Sequence, residues 1–138
     1  MSDSGPPPIV SVTITSEADV VIARQKARAL GAELNFSPTD LILIASAISE
    51  LGNNLITHAQ QGEIQMQRIN GNGRVGIALV ARDNGPGIPH PTRAVLDGYS
   101  TSGGLGLGLP GVRRLMDEFA IASGPDGGTI VSVAKWRG

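Results

Sequence analysis

Four small groups of residues carry the chemistry open to this sequence. Glu50 and Asn54 are four apart, so on a helix they stack about one turn from each other on one face. Asp83 opens the run D-N-G-P-G-I, and glycines follow it at 103, 104, 106, 108 and 111. Each of those glycines gives up side-chain burial and adds chain entropy to be lost on folding. The usual return is close approach of backbone to a ligand, most often a phosphate. Thr129, in the run G-G-T-I-V-S-V, adds a hydroxyl.

Two common phosphate motifs can be tested directly. A Walker A loop needs G-x-x-x-x-G-K-[ST], and no glycine here is followed by lysine in that way. Gly106-x-Gly108-x-x-Gly111 matches G-x-G-x-x-G in form. The preceding S-T-S-G-G is no strand, however, and no acidic residue ends a second strand about twenty residues later. A dinucleotide site of that kind is set aside.

The elements that must position these groups follow from periodicity. Residues 1–8 are rich in Ser, Gly and Pro and read as a mobile tail before a single domain over 9–138. Val10, Val12 and Ile14 alternate with polar residues as a short strand. Ser16 with Asp19 reads as a helix start, with Val20, Ala23, Ala27 and Leu30 inward and Arg24, Lys26 and Arg28 outward. Ser37, Pro38 and Asp40 cap a second helix to about Ala59, with the apolar stripe Leu41, Ile44, Ile48, Leu51 and Leu55. Glu50 and Asn54 fall on the flank of that stripe, in a row with Ser46 and His58. Gln61-Gly62 is expected to end this helix.

Ile64 and Met66, extended to Ile69, mark a strand, and N-G-N-G a hairpin turn. Val75, Ile77, Leu79 and Ala81 share one phase of the return strand. Asp83 falls in that phase, where a carboxylate is costly unless something hydrogen-bonds it. Pro110 and Gly111 lead into a helix with Val112, Leu115, Met116 and Phe119. A short strand near 119–122 and a last strand to Trp136 follow, with Thr129 in phase with Val131 and Val133. The order suggests an α+β two-layer sandwich: a mixed, largely antiparallel sheet with helices on one face.

Composition narrows the partners. At 138 residues the chain can bury a core, and 41 % hydrophobic with 17 % charged residues is globular. A formal net charge of -1 with no basic block favours neither nucleic acid nor a membrane surface. The absence of cysteine excludes disulfides and thiolate metal sites. No basic region followed by an apolar run opens the chain, so no signal peptide is expected, and a cytoplasmic location is.

Taken together, A-I-S-E-L with N-N (47–54), A-R-D-N-G-P-G-I (81–88), the glycine-rich stretch over 97–119 and the closing K-W resemble the GHKL ATPase and kinase superfamily with its Bergerat fold. Within it the chain is most similar to RsbT-type switch serine kinases, of the anti-sigma-factor kinase group. The resemblance implies ATP and Mg²⁺ as cofactors. It implies Asn54 as the ligand of a Mg²⁺ that also contacts the phosphates, and Glu50 as the acid that polarises the attacking hydroxyl. Asp83 would accept a hydrogen bond from the adenine amino group. Gly85 and Gly87 would admit the base, and Thr129 would complete its contacts. Gly104, Gly106 and Gly108 would face the phosphates, with Ile88, Gly103, Leu105 and Leu107 also at the nucleotide and 88–103 as a lid. It further implies a STAS-domain antagonist as substrate in a bacterial stress-response, stressosome-like module, and a downstream phosphatase or other output protein as second partner.

Blander readings stand beside these. Taken alone, Glu50 fits a surface carboxylate of an amphipathic helix and Asp83 the start of an Asn-Gly turn. His58 reads as a helix-end residue, Arg113 and Arg114 as a solvated helix face, and 100–102 as phosphate contacts or a grip on a partner. At the level of function, the alternatives are a nucleotide-dependent sequestering module, direct capture of a sigma factor, and the detached catalytic domain of a histidine kinase. The absence of a dimerising helix with a phospho-acceptor His weighs against the last.

Overall fold

The computed structural model describes residues 7–59, 61–83, 108–123 and 128–137. The glycine-rich segment over 84–107 and residues 1–6 therefore lie outside the described residues. Five strands form one sheet in the order β1-β2-β3-β5-β4, with every pairing antiparallel. They are β1 (Ile9–Ile14), β2 (Gly62–Gly71), β3 (Arg74–Asp83), β4 (Glu118–Ser123) and β5 (Thr129–Trp136). Three described helices accompany them: α1 (Glu17–Glu33), α2 (Pro38–Ala59) and α3 (Gly108–Leu115). The expected two-layer α+β architecture is what forms.

Alternation decides which sheet face is covered. Ile14, Ile64, Met66, Ile77, Leu79, Val131 and Val133 point from successive strands into one buried layer. Ile44, Ile48, Leu51 and Leu55 of α2 meet them, and Val20, Ala23 and Ala27 of α1 complete the core. Ile69 lies in the opposite phase from Ile64 and Met66 and is only half-buried, so it does not extend their row.

The helix starts follow their capping chemistry. Ser37 Oγ accepts from the Asp40 N–H at 3.1 Å. At α1 the roles are reversed. Ser16 makes no side-chain cap to the helix backbone, and Asp19 Oδ2 instead accepts from the Thr15 N–H and hydroxyl, both at 2.9 Å. The β2–β3 turn uses Asn72 and Gly73, with φ of 52° and 75°, as a two-residue hairpin demands.

Three expectations need correction. Gly62 does not cap α2 but is already the first residue of β2, paired with Asp83. The third helix begins at Gly108, before Pro110, which is tolerated there because first-turn N–H groups have no partner within the helix. Arg24, expected outward, is half-buried and donates from Nη1 to Ser49 Oγ at 3.2 Å.

The last residues of the chain tie two helix ends to the sheet. Lys135 is buried, and its Nζ donates to the Leu115 carbonyl at the end of α3 at 3.2 Å, with Asp117 Oδ1 at 3.8 Å. Arg137 donates from Nη1 to the Leu34 carbonyl, the C-cap of α1, at 2.8 Å. Each supplies a cation where orphan carbonyls and the helix dipole favour one.

Gly52 sits between Glu50 and Asn54 and sets how closely α1 approaches α2. A Cβ there would lie 2.7 Å from Val20 Cγ2, 3.0 Å from its Cγ1 and 3.3 Å from its Cβ. Gly52→Ala gains about 1 kcal/mol of helix propensity but overpacks this contact. A net loss of about 1–2 kcal/mol is expected in urea denaturation, partly recovered by adding Val20→Ala. A Gly52→Ala protein as stable as the parent would show that α1 yields without cost.

Candidate functional site

The second half of α2, the end of β3 and the start of β5 meet at one edge of the molecule. Insertion of β5 between β3 and β4 brings Thr129 beside Asp83 although they are 46 residues apart. Asp83 Oδ1 accepts from the Thr129 N–H at 3.2 Å. Leu55, next to Asn54, packs beside Gly62 and the Arg82 carbonyl, which fixes α2 against the end of β3. The N-terminus of α3 arrives at the same region, since α3 packs on α2 with Leu109 and Val112 fully buried.

Glu50 and Asn54 are only 7 % and 8 % exposed. This decides against Glu50 as an ordinary surface carboxylate. Asn54 Oδ1 is buried with no hydrogen-bond partner among the described residues, and the same holds for Thr129 Oγ1 at 3 % exposure. Orphaned buried oxygens are costly and mark places where water, an ion or a ligand group completes the set. Among the described residues no cluster of three His, Cys, Asp or Glu could hold a metal. A cation at Asn54 would therefore draw on phosphate and water oxygens, as Mg²⁺ commonly does.

The carboxylate of Asp83 also acts on His58 at the end of α2. Burial holds the His58 imidazole below its usual pKa, partly offset by the Asp83 carboxylate, which favours the charged ring. His58 is thus a neighbour of the site, a role its position at the helix end did not suggest. Helical spacing carries the only sequence signal, since His58 extends the row of Glu50 and Asn54. Lys135 was also missed, although its phase with Thr129, Val131 and Val133 aims it at the helix-covered face. Arg113 and Arg114 are exposed, as a solvated face requires.

Of the residues expected at the site, Glu50, Asn54, Asp83, Thr129 and Gly108 lie on elements that converge. Gly85, Gly87, Ile88, Gly103, Gly104, Leu105, Gly106 and Leu107, with the proposed lid over 88–103, lie outside the described residues.

Comparison with known proteins accords with this geometry. The family described as histidine kinase-like ATPase domain matches residues 14–135. The serine/threonine-protein kinase RsbT of Bacillus subtilis is 46 % identical over 125 residues, which cover 91 % of this chain and 94 % of that protein. The chain belongs to the RsbT-type serine/threonine-protein kinases of the histidine kinase-like ATPase family. An anti-sigma F factor of Caldanaerobacter subterraneus subsp. tengcongensis is 28 % identical over 122 residues, 84 % of each chain. The crystal structure of the SiaB–SiaC complex from Pseudomonas aeruginosa contains a chain of the same fold, with a TM-score of 0.56 and 12 % identity over 94 % of this chain and 89 % of that one. Membership in this family carries ATP use with it. Among the described residues no helix is long and apolar enough to cross a membrane.

Two outcomes test the site's construction. Because the folded His58 pKa is depressed, its contribution to stability is complete above the unfolded value of about 6.5 and is lost as pH falls below it. The melting temperature should therefore drop between about pH 7 and 5, with a shallower slope in His58→Gln. Equal slopes would remove His58 from the account. Lys135→Met should cost about 1–3 kcal/mol and weaken ATP binding, because it frees the end of α3 remote from the glycine segment. Lys135→Arg should restore much of both, as measured by denaturation and nucleotide titration.

Proposed function

We propose that the chain transfers the γ-phosphoryl group of ATP to a serine or threonine hydroxyl of a small STAS-domain antagonist, and so acts as a partner switch in a bacterial stress-response module. The observation that carries this reading is the buried pair Glu50 and Asn54, whose Asn54 Oδ1 lacks a partner among the described residues beside the Asp83–Thr129 contact. Glu50 takes the proton of the attacking hydroxyl as its oxygen bonds to the γ-phosphorus, and the bond to the β-phosphate oxygen breaks to release ADP. Asn54 would hold Mg²⁺, which when bound screens the phosphate charge. Asp83 accepts from the adenine amino group, and the Thr129 hydroxyl closes the same wall. Gly85 and Gly87 admit the base, and the backbone of Gly104, Gly106 and Gly108 faces the phosphates. The new dianion on the partner then disrupts the interface and releases the kinase to act on a phosphatase or another output protein.

A second reading is favoured by the similarity to an anti-sigma F factor. In it the chain is a nucleotide-dependent sequestering module, with a sigma factor as its captive and little phosphotransfer.

Incubation with γ-labelled ATP, Mg²⁺ and a purified STAS-domain protein from the same organism separates the two. Transfer is expected from the native chain and should fall by about 10²-fold or more in Glu50→Gln, with ATP affinity retained. Asn54→Ala and Asp83→Asn should instead lose nucleotide binding. Complex formation without label transfer would favour sequestration, and a fully active Glu50→Gln would remove Glu50 as the base.

A further inference from the structure

His58 ends the helical row of Glu50 and Asn54 and stands in the last turn of α2. Four residues later Gly62 is the cross-strand partner of Asp83, so the end of α2 lies directly against the end of β3. The approach is as close as the backbone permits. A Cβ on Gly62 would lie 2.6 Å from both the Arg82 carbonyl oxygen and Leu55 Cδ2. Within this junction the His58 ring is half-buried, and its Nε2 is enclosed.

Asp83 thus has a neighbour on each side. From β5 the Thr129 N–H donates to Oδ1 at 3.2 Å. From α2 comes the imidazole, near enough for the carboxylate charge to favour its protonated form against the stronger, opposite effect of burial. The ring is therefore neutral at pH 7. The residue type matters here. A lysine or arginine in its place would pair with Asp83 and compete with any donor that a ligand offers. A neutral imidazole restricts where the carboxylate can lie and leaves its charge in place.

We propose that His58 is a positioning residue for the nucleobase: together with the Thr129 N–H it fixes the Asp83 carboxylate in the orientation that accepts from an exocyclic amino group, and so sets a preference for adenine. The inference rests on the reading that Asp83 accepts from the adenine amino group. Its contribution falls on nucleotide binding and not on the transfer step, which Glu50 serves.

The test titrates the full chain, with Mg²⁺ present, against ATP and against purine riboside triphosphate, which carries hydrogen in place of the amino group. His58→Leu keeps an apolar side chain in the junction and removes the ring's polar atoms. It should weaken ATP binding about tenfold and leave affinity for the analogue within about twofold of the parent. In transfer to the STAS protein the KM for ATP should rise while kcat at saturating ATP stays near the parent value. His58→Asn and His58→Gln place an amide near the positions of Nδ1 and Nε2, and one of them should restore the preference for ATP. Equal losses for the two nucleotides would reduce His58 to packing and overturn the proposal, as would an unchanged ATP affinity. Should His58→Leu fail to fold, the amide pair decides. Different ratios of ATP to analogue affinity in the two support the proposal, and parent-like ratios in both overturn it. A native chain that binds both nucleotides equally would overturn the adenine reading of Asp83 together with the proposal. A native preference for ATP that survives in every His58 variant would overturn the proposal alone.

Discussion

The structure depends on one helix having to satisfy two incompatible surroundings. α2 must bury Ile44, Ile48, Leu51 and Leu55 against the sheet, and within the same turns it must keep a carboxylate and a carboxamide out of bulk water. A fully buried carboxylate would neutralise or unfold its surroundings, and a fully exposed one would offer a substrate no more than water does. The flank of the stripe is the position that reconciles these demands, and Glu50 and Asn54 occupy it. Gly52 extends the solution, because its missing side chain lets Val20 of α1 close over the helix without a gap.

The sheet order follows from the same need. Had the last strand simply paired at an edge, Thr129 would lie far from Asp83. Insertion of β5 between β3 and β4 instead places the Thr129 N–H on the Asp83 carboxylate. A strand-end acid in the buried phase thereby gains the hydrogen bond that its position requires. The same inserted strand carries Lys135, and Arg137 just beyond it, to the carbonyl ends of α3 and α1. One strand therefore closes the wall of the site and anchors two of the helices around it. α3 leaves this to Lys135, because its own Arg113 and Arg114 are exposed. α1 already ends in a left-handed turn at Asn35, with the Phe36 N–H on the Gly31 carbonyl and the Asn35 N–H on the Ala32 carbonyl, and Arg137 adds a cation at Leu34.

Much of this is legible in the sequence alone. Alternation gave β1, β3 and β5 their buried phases, the S-P-T-D start gave α2 its cap, and 3–4 spacing placed Glu50 beside Asn54 on the flank. What escaped were relations across long sequence separations. Nothing local to Lys135 names Leu115 as its acceptor, and nothing local to His58 names Asp83 as its neighbour. The reading of Gly62 as a helix stop failed for a different reason. A glycine after a helix signals a left-handed cap only where the backbone turns that way. Here the residue is needed because a side chain would strike the Arg82 carbonyl and Leu55.

Around its circumference α2 offers the sheet-facing stripe, the Glu50–Asn54 row, and the groove shared with α1. Ser46 belongs to the last two, so the boundary between them is a single turn of one rigid element rather than a flexible loop. Glu50 and Asn54 are held relative to one another by the same covalent helix geometry, and the close packing of Val20 on Gly52 between them fixes the helix from outside. A group brought to this row would therefore meet donors and acceptors already in place, with little orientational freedom left for the protein to lose.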